Sequence, residues 1–173
     1  MNLIIDIGNT NIKVYVYYNG KPEFFKIINS IDKLKNSIIG YSEKISHVII
    51  SDVKSHGIEN ILSIFEGKFI LLVKECRLPF ESRYKTMNSL GDDRIALVNS
   101  AFKKFPNHNV LIIDVGTCIT YDLIVEKGYY LGGMISPGFE IRYRSLNLYT
   151  ANLPLVEKIE KKANIIGDST HSS

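Results

Sequence analysis

Three short segments carry residue types that can do chemistry together. The first is Asp6-Ile7-Gly8-Asn9-Thr10, with Lys13 just beyond it. Gly8 lets the backbone turn where a side chain would resist. Such a turn points successive N–H groups outward, where phosphate oxygens can accept from them. Asn9 and Thr10 add side-chain donors, Lys13 adds a point charge, and Asp6 is a ligand type for a hydrated Mg²⁺. The second segment is Asp114-Val115-Gly116-Thr117, followed by Thr120 and Asp122. Either loop alone reads better as a plain hairpin turn. As a pair they suggest two lobes facing one cleft and holding a polyphosphate from both sides. Phosphoryl transfer needs mainly positioning and charge neutralisation, and closing lobes exclude water. The third segment is Gly91-Asp92-Asp93-Arg94. Its acids suit a helix N-terminus, which simple capping explains. Arg94 beside them extends the possibilities: one carboxylate can accept a proton from an attacking hydroxyl, and a guanidinium can clamp a carboxylate on the same substrate.

The elements that would position these segments come from a repeat. Residues 3–8 read Leu-Ile-Ile-Asp-Ile-Gly and residues 111–116 read Leu-Ile-Ile-Asp-Val-Gly. With a one-residue gap the match extends from Thr10-Asn11-Ile12 to Thr117-Cys118-Ile119. Each copy is an apolar strand, a tight turn and a second β-rich run. A third strand follows the Asn19-Gly20 turn in one copy and Gly128 in the other. Ser30 is expected to cap a helix bearing Ile31, Leu34 and Ile38. A buried strand is expected over 46–51 and a short strand over 68–73. Between them, Ile58, Ile61, Leu62 and Phe65 have the spacing of an amphipathic helix. Residues 74–90 read as a polar connection. Ile95, Val98, Phe102 and Phe105 mark a helix over about 92–105 that Pro106 stops, and Pro137-Gly138 precedes a helix with Ile141, Leu146 and Leu148. The order predicts two α/β lobes.

Composition narrows the function classes. The chain has 173 residues, 45% of them hydrophobic and 23% charged, which is ordinary for a soluble globular protein and against wholesale disorder. The net charge of +3 and the lack of a Lys/Arg run argue against a nucleic-acid partner. Cys76 and Cys118 stand alone, so neither a zinc site nor a disulfide framework is expected, and a reducing compartment is. No targeting segment or run of transmembrane length stands out, so the expectation is a cytoplasmic protein without membrane contact.

Taken in order, DIGNTNIK at 6–13, YKTMNSLGDDR at 84–94, DVGTCIT at 114–120, GGMISPG at 132–138, LP at 153–154 and GDST at 167–170 resemble the type III pantothenate kinases. The resemblance runs over nearly the whole chain. It implies duplicated ribonuclease-H-like lobes of the actin-like ATPase superfamily, here residues 1–108 and 109–173. It also implies ATP-dependent phosphorylation of pantothenate to 4'-phosphopantothenate, the first step of coenzyme A biosynthesis. Asp6, Ile7, Gly8, Asn9, Thr10, Asn11, Ile12 and Lys13 match the family's first phosphate loop, and Thr117 matches an ATP contact in the second. Asp93 matches the catalytic base. Gly91, Asp92, Arg94 and Tyr84 match the rest of the pantothenate-binding segment, and Thr170 a substrate contact near the subunit interface of a homodimer. Asp114 matches the site of a monovalent cation, K⁺ or NH₄⁺, distinct from the Mg²⁺ that accompanies ATP.

Two departures stand out. Met87 occupies a position where the family often has proline, which loosens the loop without removing a reacting group. The second repeat unit, from 111, is also much shorter than the first, so a truncated second lobe with uncovered apolar surface and weak ATP binding is the expectation. Two alternatives remain beside the kinase reading: a transcriptional accessory protein related to this family, and another phosphotransferase of the superfamily. The Tyr84-to-Arg94 segment and the two intact loops favour the kinase.

Overall fold

The computed structural model describes residues 1–53, 63–156 and 166–170. It is a mixed α/β chain with two sheets. It divides into two compact units, one of Met1–Ile112 with Asp122–Gly133, the other of Ile113–Tyr121 with Met134–Ser173.

The first sheet follows from strict alternation. In β1 (Asn2–Ile7), Leu3, Ile5 and Ile7 are buried while Asn2, Ile4 and Asp6 take the other face. In β2 (Ile12–Tyr18), Ile12, Val14 and Val16 are buried and Lys13, Tyr15 and Tyr17 alternate with them. A period of two on both strands fixes their register, because a one-residue slip would turn every apolar side chain outward. The pairing is antiparallel, with Ile5 opposite Val14 and Asp6 opposite Lys13. Asn19 and Gly20 both adopt positive φ, the backbone of a tight hairpin turn. They lead into β3 (Lys21–Ile28).

Helix α1 spans Asp32–Ile38 and buries Leu34 and Ile38. Ser30 does not cap it as expected. The residue before the helix is Ile31, no side chain caps the first turn, and Ser30 contributes only its carbonyl, to the Lys33 amide at 3.3 Å. Strands β4 (His47–Asp52) and β5 (Phe69–Leu72) extend the sheet in parallel, giving the order β3-β2-β1-β4-β5. One face of that sheet, α1, Ile45 and Phe65 make the first core. Of the helix expected from Ile58, Ile61, Leu62 and Phe65, the first three residues lie outside the described residues.

Residues 74–90 are more structured than a polar connection. Two 3-10 turns, Val73–Glu75 and Met87–Ser89, flank a short strand β6 (Glu81–Ser82), and Phe80 and Leu90 are buried. The segment packs because it is pinned: Glu81 and Ser82 pair in parallel with Tyr129 and Tyr130. Helix α2 (Asp92–Lys104) follows, with Ile95, Val98 and Ala101 buried at helical spacing. Its acids lie in the first turn and Lys103 and Lys104 in the last, which complements the helix dipole.

The second copy of the strand meander is β7 (Val110–Val115), β8 (Cys118–Val125) and β9 (Tyr129–Pro137), in a sheet of order β6-β9-β8-β7. Val73, Phe80, Leu90, Ile95, Val98, Ile124 and Tyr130 form the second core. Helix α3 (Phe139–Tyr149) is the last regular element among the described residues and buries no residue. Apolar side chains along β7, the end of β9 and α3 are open to solvent, among them Leu111, Ile113, Val115, Met134, Ile135 and Leu148.

The first core generates a stability prediction. Leu34 is fully buried, so Leu34→Ala is expected to cost about 2–5 kcal/mol through lost burial and the cavity left behind. Ile39, 70% exposed one turn further on, should change stability by less than about 0.5 kcal/mol on the same substitution. Urea unfolding of the two variants checks the contrast, and equal losses would contradict the packing described.

Candidate active site

Strand register builds the surroundings of Asp6. Lys13 lies opposite it on β2 and Ser51 opposite it on β4. Both reach its carboxylate: Lys13 Nζ is 3.4 Å from Oδ2, and the Ser51 hydroxyl donates to Oδ1 at 3.2 Å. The Lys13 pair is solvent-exposed and contributes little to stability. Ser51 was not singled out in the sequence, because only the parallel pairing of β1 with β4 brings it there.

The loop after β1 is closed by a hydrogen bond from the Gly8 amide to the Asn11 carbonyl, 3.0 Å. Gly8 is not in the left-handed region. Its requirement is close approach, since a Cβ there would sit 3.2 Å from the Asn11 carbonyl oxygen. Asn9, Thr10 and Asn11 are exposed beyond it. The loop after β7 has the same closure, from the Gly116 amide to the Cys118 carbonyl at 2.9 Å, and is one residue shorter. The gap required to align the two sequence copies therefore falls inside the turn. Asp114 and Thr117 are exposed around it. Gly138 closes on this second loop from behind: its amide donates to the Thr117 carbonyl at 3.0 Å, and a Cβ at Gly138 would run into the Gly116 and Thr117 carbonyl oxygens. Arg142, on the first turn of α3, donates to the Pro137 carbonyl at 2.9 Å and to the Ser136 hydroxyl at 2.7 Å.

The third segment opens α2. Gly91 is the residue before the helix, extended at φ −61° and ψ 141°. A Cβ on it would collide with the Asp93 carboxylate. Asp93 is half-buried, and its Oδ1 accepts from the backbone N–H of Arg94 at 2.8 Å. Asp92 turns inward and is buried, accepting from the Asp52 amide at 3.3 Å. It also borders a cavity of about 420 Å³ lined by Val73, Lys74, Cys76, Met87 and Leu90.

The Arg94 side chain, read from the sequence as able to clamp a carboxylate of the substrate, is committed within the protein. It is 4% exposed, and its Nε and Nη2 donate to both oxygens of Asp122 at 2.6–3.1 Å. Nη2 also donates to the Tyr130 hydroxyl at 3.2 Å, which in turn donates to Asp122 Oδ1 at 2.6 Å. The hydrogen bonds to Asp122 hold the guanidinium still more firmly protonated than usual. Burial first, then the bond to Asp122, pushes the Tyr130 hydroxyl far above the usual phenol range, so it remains a donor. Tyr84 stacks on Tyr130 at 6.1 Å and lies 5.7 Å under the Arg94 guanidinium. Gly132 makes room for it: φ there is +101°, and a Cβ would come within 3.1 Å of the Tyr84 ring. Tyr84, Gly91, Asp92, Asp93 and Arg94 thus gather at one helix start, together with Asp122 and Tyr130. Asp122 was noted in the sequence without a role. Its inward position on an alternating strand was the available signal. Thr170 is exposed in the other compact unit.

The donor set also bears on cations. Among the described residues no group of three or more His, Cys, Asp or Glu gathers to hold a metal. Mg²⁺ that accompanies a nucleotide is held mainly by phosphates and water and takes one or two protein carboxylates, and Asp6 presents a carboxylate near the end of β1.

Asp92 gives a pH prediction. Burial raises its pKa, with Asp52 and Asp93 adding to the effect and the Asp52 amide and Lys74 opposing it. The folded state then holds the proton more tightly than the unfolded chain. Stability falls as pH rises from the ordinary carboxylate value through the raised one. Asp92→Asn should therefore be more stable than the parent at about pH 7, and the advantage should shrink toward about pH 4. Thermal unfolding across that range checks it; a difference independent of pH would contradict the assignment.

Comparison with known proteins gives the family. The family model for type III pantothenate kinase matches residues 2–173. A type III pantothenate kinase of Christiangramia forsetii is 44% identical over 186 residues, covering all of this chain and 72% of its own. One from Flavobacterium johnsoniae is 39% identical, covering 98% of this chain and 70% of its own. Among solved structures, a Campylobacter jejuni protein described as a Baf family transcriptional activator matches at TM-score 0.61 and 22% identity, over 98% of this chain and 70% of its own. A Porphyromonas gingivalis protein described as an N-acetylglucosamine kinase matches at TM-score 0.50 and 14% identity, over 78% of this chain and 47% of its own. At those identities the structural matches speak to the fold, and the sequence matches to the family. No helix among the described residues is long and apolar enough to cross a membrane. The chain belongs to the type III pantothenate kinase family.

Proposed function

We propose that this chain carries out its family's reaction, ATP-dependent phosphorylation of pantothenate to 4'-phosphopantothenate in coenzyme A biosynthesis, with Asp93 as the general base. The observation that carries the assignment is the start of α2. There a half-buried carboxylate is oriented by the next residue's amide, inside the segment that resembles the family's pantothenate-binding motif. Asp93 takes the proton of the primary hydroxyl of pantothenate. The hydroxyl oxygen bonds to the γ-phosphorus as the bond to the bridging oxygen breaks, and ADP leaves. Tyr84, Gly91, Asp92, Arg94 and Thr170 are the proposed residues of the acceptor site, with the buried side chains of Asp92 and Arg94 shaping that segment rather than reaching out to the acceptor.

The backbone and side chains of residues 6–13 and Thr117 are proposed to hold the nucleotide. Mg²⁺ at Asp6 would neutralise phosphate charge. A monovalent cation is proposed at Asp114, and a homodimer in the cytoplasm is the proposed working form. Two ribonuclease-H-like lobes, residues 1–108 and 109–173, are supported by the matching meanders β1-β2-β3 and β7-β8-β9 and by the two glycine-closed turns. A purely accessory role draws on a likeness at 22% identity, which is one of fold.

Asp93→Asn should keep nucleotide binding and lose about two to four powers of ten in kcat, the range for a positioned acid–base group. Asp92→Asn should lose much less. Near-normal turnover by the Asp93 variant would refute its role. Separately, Asp114→Ala should diminish activation by K⁺ at fixed Mg²⁺. Activity of the parent that is indifferent to K⁺, Na⁺ and NH₄⁺ would remove that site from the mechanism.

A further inference from the structure

We infer that Asp122 and Tyr130 are positioning residues of the acceptor site, holding Arg94 so that the start of α2 keeps the Asp93 carboxylate and the Tyr84 ring in place. The inference rests on Asp93 as the base.

Arg94 is the joint. Its backbone N–H holds Asp93 Oδ1 at 2.8 Å, while its side chain is anchored to β8 through both oxygens of Asp122 and to β9 through the Tyr130 hydroxyl. Asp122 is 1% exposed and Tyr130 fully buried, so neither can reach a substrate in solution. They act through what they hold. Tyr130 has a second line to the site, because Tyr84 stacks on its ring, and the guanidinium overlies that same Tyr84 ring. One buried cation thus fixes the position of the acid and of the aromatic residue beside it.

Stability alone is a poor reason for such a group. A buried ion pair costs much of its attraction in lost hydration, and apolar side chains of similar volume often serve as well. What an apolar replacement cannot supply is direction. A forked guanidinium meeting a carboxylate through two donors, with a phenol bridging both, permits one arrangement. Catalysis is sensitive to that, since a misplacement of about 1 Å can cost about a hundredfold in rate.

The test is a double-mutant cycle in the 173-residue chain, read as kcat and as the separate KM values for pantothenate and ATP. Asp122→Asn keeps the shape and removes the charge. It should lower kcat about a hundredfold while leaving the KM for ATP within about twofold. Tyr130→Phe keeps the ring and removes the bridging hydroxyl, and should cost about fivefold in kcat. In the Asp93→Asn background each substitution should cost clearly less than in the parent, because the carboxylate it positions is gone and only its effect through Tyr84 remains. A merely structural role would give losses that multiply in full. If Asp93→Asn is impaired and the second substitution still exacts its whole factor, the positioning role is overturned and the base assignment stands. Unchanged kcat in both single variants overturns it as well. Normal turnover by Asp93→Asn alone refutes the base, and this inference with it. Should Asp122→Asn fail to fold, the Tyr130→Phe cycle decides by the same criteria.

Discussion

A guanidinium out of reach of water must be answered charge for charge and donor for donor. That constraint at Arg94 organises the site. Removing one member of a buried pair leaves a naked charge and costs about 3–5 kcal/mol. Asp122 and Tyr130 therefore have little freedom once Arg94 is inside. Through them the start of α2, the middle of β8 and the beginning of β9 share one anchor. Tyr84 comes to the same place because Gly132 has no side chain to displace it. The glycine-rich stretch at 132–138 thereby joins two jobs. Its first residue seats the aromatic ring next to Arg94, and its last, Gly138, lets the chain press on the Gly116-Thr117 turn.

Elsewhere the same economy holds: strand pairing does what no loop could do alone. Asp6 sits at the end of a central strand, so it has a neighbour on each side, Lys13 from an antiparallel partner and Ser51 from a parallel one. A carboxylate held from both flanks keeps its orientation without being buried. The two turns that follow the repeated strands close by the same amide-to-carbonyl bond and differ by one residue in length. The longer turn displays Asn9 and Thr10 where the shorter displays Thr117 alone, so the two matching openings do not present equal donor sets.

Much of this was legible in the sequence because it is local. Period-two burial in β1 and β2, the Asn19-Gly20 turn and the apolar stripe of α2 each depend on residues a few positions apart. The candidate residues Asp6, Lys13, Asp93 and Arg94 stood out for similar reasons. What escaped was set by distant pairing. Arg94 stood out as a clamp without its anchor, because its partner is 28 residues away on another strand. Residues 74–90 looked like a polar connection because weak periodicity cannot reveal that Glu81 and Ser82 pair with Tyr129 and Tyr130. Gly8 was explained by an unusual backbone conformation, whereas the real constraint is a neighbouring carbonyl. Ser30 had the right type for a cap, yet the helix begins one residue later than such a cap requires.

The span of the Arg94 network along the chain has a consequence for biosynthesis. Its partners follow Arg94 by 28 and 36 residues. During synthesis the first sheet and α2 emerge while Arg94 still has no counter-ion, and a helix start with an unanswered cation cannot be stably packed away. The proposed proton acceptor is therefore finished late, when β8 and β9 arrive, even though it is encoded near the middle of the chain. The first sheet is complete in sequence by residue 72 and needs nothing downstream for its strand order. A nascent chain would thus acquire its first sheet well before the proposed acceptor site, which β8 and β9 complete.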